Sequence, residues 1–212
     1  MSEVRAQRRA ELDAPRIDTR SAILHALEEV LAEHPLHTVS VAQIIEVAGV
    51  SRGAFYSYFE SKFDAAGALI TQVIDRGLEI WQPFIEQPES DPLAGLASAL
   101  RASLDMWAEH RGIALTYHQY WNTVPELGQQ WLANFDRFVA RLADSIDQAR
   151  ADGTLPAGAD SRKLAAAGMW MTEQLISVAI TGADEKLSDR EFVIEMLVNM
   201  WQGLLFGDGR SG

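Results

Sequence analysis

Apolar residues recur at helical spacing along almost the whole chain, with turn signals between the runs. Between Asp18 and His34 the stripe is Ile23, Ala26, Leu27, Val30 and Leu31. Next, Ser40 and Gln43 stand in the S-x-x-Q relation of a capping box, so a helix should begin near Val41. Val41, Ile44, Ile45 and Ala48 then face inward, leaving Ala42, Gln43 and Glu46 to solvent. Gly49 suits the left-handed turn that stops this helix, Val50 plugs the corner, and Ser51 is the next N-cap. A two-turn helix from Arg52 to Tyr58 follows, with Phe55 and Phe59 inward and Arg52, Gly53, Tyr56 and Ser57 outward. From Lys62 a long helix should run past Trp81, limited by Pro83 and Pro88. Further stripes are Leu93, Leu96, Leu100, Leu104 and Trp107, then Trp131, Phe135, Phe138, Leu142 and Ile146 up to Gly153. Asp160 should cap a helix ending at Gly182, and Ser188 with Glu191 forms a second capping-box pattern before the last helix. Strand alternation with hairpin signals is not evident, so the class is all-α.

The two short helices about Gly49 have the proportions of a helix-turn-helix that enters a DNA groove. Small residues at Gly53 and Ala54 let the second helix approach the duplex, Arg52 can reach a base edge, and Tyr56 and Lys62 can reach phosphates. The segment TVSVAQIIEVAGVSRGAFYSYFESK, residues 38–62, resembles the DNA-binding signature of the TetR/AcrR transcriptional regulators: capped helix, A-G-V-S turn, aromatic recognition helix and closing Y-x-Y-F-x-S-K. The resemblance implies a DNA-facing set of Ser40, Gln43, Ser51, Arg52, Gly53, Ala54, Tyr56, Tyr58 and Lys62. Many relatives carry Thr or Ser where this chain has Ala54, which leaves Arg52 and Tyr56 as the stronger contacts.

Charge refines the picture. The formal net charge is -12, which argues superficially against a DNA partner. Residues 1–62, however, hold seven Lys/Arg against nine Asp/Glu, a net of -2, so -10 falls on residues 63–212. The acidity belongs to the body and keeps it off the duplex. The expected organisation is a tail over 1–17, a DNA-binding head over 18–64, a helical effector-binding and dimerisation body over 65–207, and a tail over 208–212. Arg5, Arg8, Arg9 and Arg16 make the first tail either a solvated leader or a basic arm on phosphates. There is no cysteine, hence no disulfide or thiolate metal site, and this suits the cytoplasm. Neither a secretory leader nor a membrane span is expected: the most apolar run, Leu164 to Ile180, is broken by Glu173 and Gln174.

In the body, Trp107, Tyr117, Tyr120, Trp121, Trp131 and Trp170, with Phe135, Phe138 and Met169, could line an apolar ligand cavity or be ordinary core. The TetR/AcrR resemblance implies the former: a body that binds a small, mainly apolar effector and a connector helix that reports it to the heads. RGIALTYHQYWNTVPEL is further similar to the subgroup of the mycobacterial ethionamide-resistance repressor. Where that subgroup has asparagines on its ligand channel, this chain carries Met169 and Thr172, which implies a different polar anchor. Two wide apolar faces near the C-terminus, on the helices after Asp160 and Ser188, suggest a homodimer through a four-helix interface. Gly49-Val50-Ser51-Arg52-Gly53 also satisfies the G-x-S-x-G pattern of serine hydrolases, but a nucleophile elbow needs a strand before the serine, and here a helix precedes it. Another alternative is a ligand-binding protein of the same fold without DNA recognition. The five histidines lack metal-ligand spacing, and no catalytic residue, metal or cofactor is expected.

Overall fold

The computed structural model describes residues 18–86 and 92–207, and among these it is all-helical. The arginines of the first tail, Pro88 and the last five residues lie outside the described residues. The helices are α1 (Thr19–Glu33), α2 (Val41–Ala48), α3 (Arg52–Tyr58), α4 (Lys62–Glu86), α5 (Pro92–Glu109), α6 (Arg111–Tyr120), α7 (Pro125–Ala151), α8 (Ser161–Thr181) and α9 (Arg190–Phe206), with a 3-10 turn at Glu185–Leu187.

Local signals set the helix ends. Asp18 accepts the Ser21 amide at the start of α1, Ser51 accepts that of Ala54, and Asp160 accepts that of Lys163. The Ser40–Gln43 capping box is complete in both directions, and Gly49 closes α2 at φ 64, a conformation that penalises any side chain with a Cβ. Pro83 is exposed and does not end α4, which continues to Glu86. One cap differs from the sequence expectation. Asp189, not Ser188, caps α9, its carboxylate accepting the amides of Glu191 and Phe192. Ser188 instead closes the 3-10 turn through a 2.7 Å bond to the Glu185 carbonyl, and Glu191 is engaged by Arg101 at 2.9 Å. A carboxylate is the stronger acceptor for helix N-terminal amides, so the neighbouring aspartate prevails over the S-x-x-E pattern.

Two apolar clusters form the core. The upper one joins α1–α3 to the first turns of α4 and continues through Val73, Met106, Ile113 and Tyr117 to Trp131. The lower one is built from Leu78, Trp81, Leu96, Leu100, Phe138, Leu142, Ile176, Leu197 and Trp201. Helix α4 runs through both and packs along α7 and α5. At the head–body seam α1 lies on α6, where a Cβ at Gly112 would overlap the backbone carbonyl of Leu31. Glycine is needed there for close approach.

Candidate nucleic-acid interface and effector cavity

Helix α3 exposes one face and anchors the other. Phe55 is fully buried and stacks obliquely on Phe59, which holds the helix against the head. Ser51, Arg52, Gly53, Tyr56, Ser57 and Tyr58 are exposed, whereas Ala54 is partly buried. The Arg52 guanidinium lies 5.4 Å from the centre of the Tyr56 ring, one helical turn on, an arrangement that pre-orders a cation and an aromatic hydroxyl side by side. Space beside Gly53 is open, its nearest neighbour being Ser51 Oγ at 3.9 Å from a built Cβ. Ser40 and Gln43 are exposed at the start of α2, with Gln43 Oε1 accepting the Ser40 amide at 2.8 Å. Apart from the partly buried Ala54 and from Lys62, which turns inward, the predicted DNA-facing residues are exposed on the head.

Lys62 corrects the expectation of a free phosphate ligand. Its ammonium donates to the carbonyls of Leu36 at 2.8 Å, Val39 at 2.7 Å and His37 at 3.3 Å. An ammonium has three donors, and all three are used to tie the start of α4 to the loop between α1 and α2. It positions the helix-turn-helix on the connector. Ser51, the serine of the G-x-S-x-G pattern, is preceded by α2 and caps α3, which is not the strand–turn–helix setting of a nucleophile elbow.

The expected ligand residues divide into three groups. Tyr117, Trp121, Trp131, Phe135 and Trp170 pack on one another, with ring centres such as Trp131–Trp170 at 4.7 Å and Tyr117–Trp131 at 5.1 Å. Trp107, Trp131, Phe135, Phe138, Met169 and Thr172 surround a small cavity of about 60 Å³, joined there by Trp81, Ser103 and Glu173. Tyr120 sits apart, edge-on to Phe63 in the first turn of α4 at 5.9 Å.

A larger cavity, about 240 Å³, lies further down the body, walled by Trp81, Phe84, Leu96, Leu142, Trp201 and Phe206 with Ser145 and Asp152 among its polar groups. The sequence reading missed it, because its walls come from α4, α5, α7 and α9 and share no local pattern. Trp81 borders both cavities. Its indole N–H donates to Ser103 Oγ at 2.7 Å, and its ring meets Phe138 edge-on at 5.4 Å. In a second buried pair, Trp201 Nε1 donates to Thr172 Oγ1 at 2.9 Å, and that hydroxyl donates to the Gly168 carbonyl at 2.9 Å. Thr172, expected among the ligand-binding residues, lines the small cavity and holds Trp201.

Glu173 also borders the small cavity, and a still smaller one with Trp107 and Tyr117. Burial pushes its carboxyl up to about 7, and no described residue gives it a hydrogen bond or ion pair. Tyr117 is likewise shifted upward, first by burial and then by the charge of Glu173. A separate polar bridge joins head to body. Arg76 Nη1 lies 3.0 Å from His110 Nε2, and His110 Nδ1 hydrogen-bonds Glu28. Because arginine only donates, Nε2 is the acceptor and Nδ1 carries the proton given to Glu28. Among the described residues, no helix is long and apolar enough to cross a membrane.

The geometry of head and body agrees with the comparisons. Residues 23–66 match the model of the tetR family of bacterial regulatory proteins, and residues 96–207 match that of the C-terminal domain of the transcriptional regulator EthR. The HTH-type transcriptional regulator EthR of Mycobacterium tuberculosis is 25% identical over 194 residues, which cover 91% of this chain and 89% of that protein. Among solved structures, SmeT, the repressor of the Stenotrophomonas maltophilia multidrug efflux pump SmeDEF, aligns at a TM-score of 0.70 and 21% identity, covering 90% of this chain and 91% of its own. FadR from Bacillus subtilis, solved with stearoyl-CoA, aligns at 0.68 and 20% identity, covering 84% and 96%. A helix-turn-helix head of this signature, on a body that matches the EthR model over more than half of the chain, places the protein in the TetR family of ligand-responsive, DNA-binding transcriptional regulators.

Proposed function

We propose that this regulator is a cytoplasmic homodimeric repressor, released from a near-palindromic operator when a small, mainly apolar effector occupies the body. The observation that carries this reading is the position of Trp81. It stands on the connector α4 and borders both cavities, so an occupant that displaces its ring acts directly on the helix whose first turn carries Lys62. Those residues are 19 positions apart, about 28 Å along a helix. An effector that favours one setting of α4 and an operator that favours another must weaken each other's binding by the same factor.

In this reading Arg52 reads a base edge, and Tyr56, Tyr58, Ser51 and the backbone beside Gly53 meet the duplex, while Lys62 holds the head in place. Two copies pair through the outward stripes of α8 and α9. Ala167, Met171, Leu175 and Val178 on α8, and Phe192, Met196 and Met200 on α9, are exposed or half-buried in the single chain. Such a pairing sets the two heads about one DNA turn, ~34 Å, or a multiple apart. Support for an apolar effector comes from the largely hydrocarbon and aromatic cavity walls, and FadR of Bacillus subtilis binds an acyl-CoA on the same fold.

The test is a mobility shift with DNA from directly upstream of the coding region in excess non-specific competitor, followed by effector screening on the shifted complex. A competitor-resistant complex that a cavity ligand dissolves is the expected result. If genome-wide fragment selection also yields no specific site, the regulator reading fails; a ligand that binds without altering operator affinity at fixed salt defeats the coupling.

A further inference from the structure

Taking the body as the effector site, we propose that Glu173 receives the ammonium group of the effector, which is an amine with an apolar tail. Glu173 borders the two small cavities, among Trp107, Tyr117, Trp131 and Phe135. A half-buried carboxylate bordered by aromatic rings favours a counter-charge or hydrogen-bond donors, and no described residue supplies them. The basic side chains that bond to the same stretch of α8 are engaged with other groups. Arg111 donates to the carbonyls of Ile180 and Thr181 at 3.1 and 3.2 Å, and His118 Nδ1 is paired with Ser177 Oγ at 3.0 Å. The raised proton affinity of the carboxyl fits a group whose partner comes from outside the chain.

The aromatic surroundings fit a cation as well as the acid does. Indole and phenol faces attract an ammonium through their quadrupoles, most strongly where water is excluded. Space then fixes the rest of the ligand. The cavities beside Glu173 measure about 60 and 10 Å³, enough for a small polar head and little more. A longer tail would continue past Trp81, which borders both this space and the apolar cavity of about 240 Å³. Head at Glu173 and tail beyond Trp81 would place the ligand directly against the connector helix.

The test uses a matched pair of probes, 6-phenylhexylamine and 6-phenylhexan-1-ol, titrated into the full-length wild-type protein and Glu173→Gln by calorimetry. The amine should bind the wild type about tenfold or more tighter than the alcohol, and Glu173→Gln should abolish that preference while leaving alcohol binding within about twofold. Retained alcohol binding shows that the variant is folded. An amine that binds no tighter than the alcohol, fails to bind, or keeps its preference in Glu173→Gln overturns the proposal, whatever the operator assays give. Conversely, an amine preference lost in Glu173→Gln, in a protein that finds no operator, supports this site and removes the regulatory reading alone.

Discussion

In the head, the polar side chains at the helix ends meet backbone groups: Ser40 and Ser51 cap helices, and Lys62 ties three carbonyls of the α1–α2 loop. In the body, Glu173 borders empty space without a partner among the described residues, and Trp81 and Trp201 are held by single hydroxyls at the edge of cavities. The head is built to present one fixed surface to DNA. The body keeps volume and an unneutralised charge that another molecule can use. Regulation needs this difference, because an effector can shift only an element whose packing it completes or displaces.

The sharpest way to break the comparison is at the seam. Gly112→Val would drive a side chain into the Leu31 carbonyl, a backbone atom that cannot rotate away. The expected loss is about 3 kcal/mol, as for severe overpacking, read as a lower denaturation midpoint. Effector response should fall with it, since α1 rests on α6 there. A variant of unchanged stability would show that head and body do not bear on each other at this point.

Within the head, Lys62→Met and Arg52→Ala should separate structure from recognition. Removing the Lys62 ammonium strands three acceptors, two of them at bonds that are partly buried, and should lower stability by about 2 kcal/mol. A Lys62→Met protein of full stability whose salt dependence falls by about one unit would restore the phosphate role. Arg52→Ala should leave stability within about 0.5 kcal/mol. Its operator affinity should fall by about 1–2 kcal/mol with relaxed sequence preference. Equal effects on operator and random DNA would make Arg52 a phosphate contact instead.

The head was legible because its signals are local. S-x-x-Q, the glycine at φ 64 and the next serine lie within twelve residues, and each predicts the geometry found. The inward bonds of Lys62 were not legible because its acceptors stand 23 to 26 residues away. The Ser188–Glu191 spacing was a true pattern defeated by a better acceptor next door. In the body, helical stripes gave the helices and the aromatic cluster, but spacing cannot tell a filled interior from a hollow one. Contacts such as Trp81 with Ser103, 22 residues apart, or Glu28 with His110, 82 apart, decide which side of each helix borders a cavity.

The smallest effect sharpens the comparison most directly, because it reads the unpartnered acid of the body in isolation. Glu173 holds its proton up to about pH 7 in the fold, against an ordinary 4.5. Its upward shift means that the folded state favours the neutral form. No penalty exists below about pH 4.5; between there and pH 7 the unfolded chain releases the proton first, so folding becomes less favourable, and above pH 7 the penalty is constant. Tyr117, itself shifted upward, remains neutral throughout this window. Glu173→Gln removes the penalty and keeps the shape. It should therefore match the wild type in stability at pH 4 and exceed it at pH 8 by on the order of 1 kcal/mol, allowing for the partial exposure of the side chain. Urea titrations of both proteins across that range measure the gap. A gap that does not change with pH would mean that the carboxylate already has a partner, and would make the body as self-satisfied as the head.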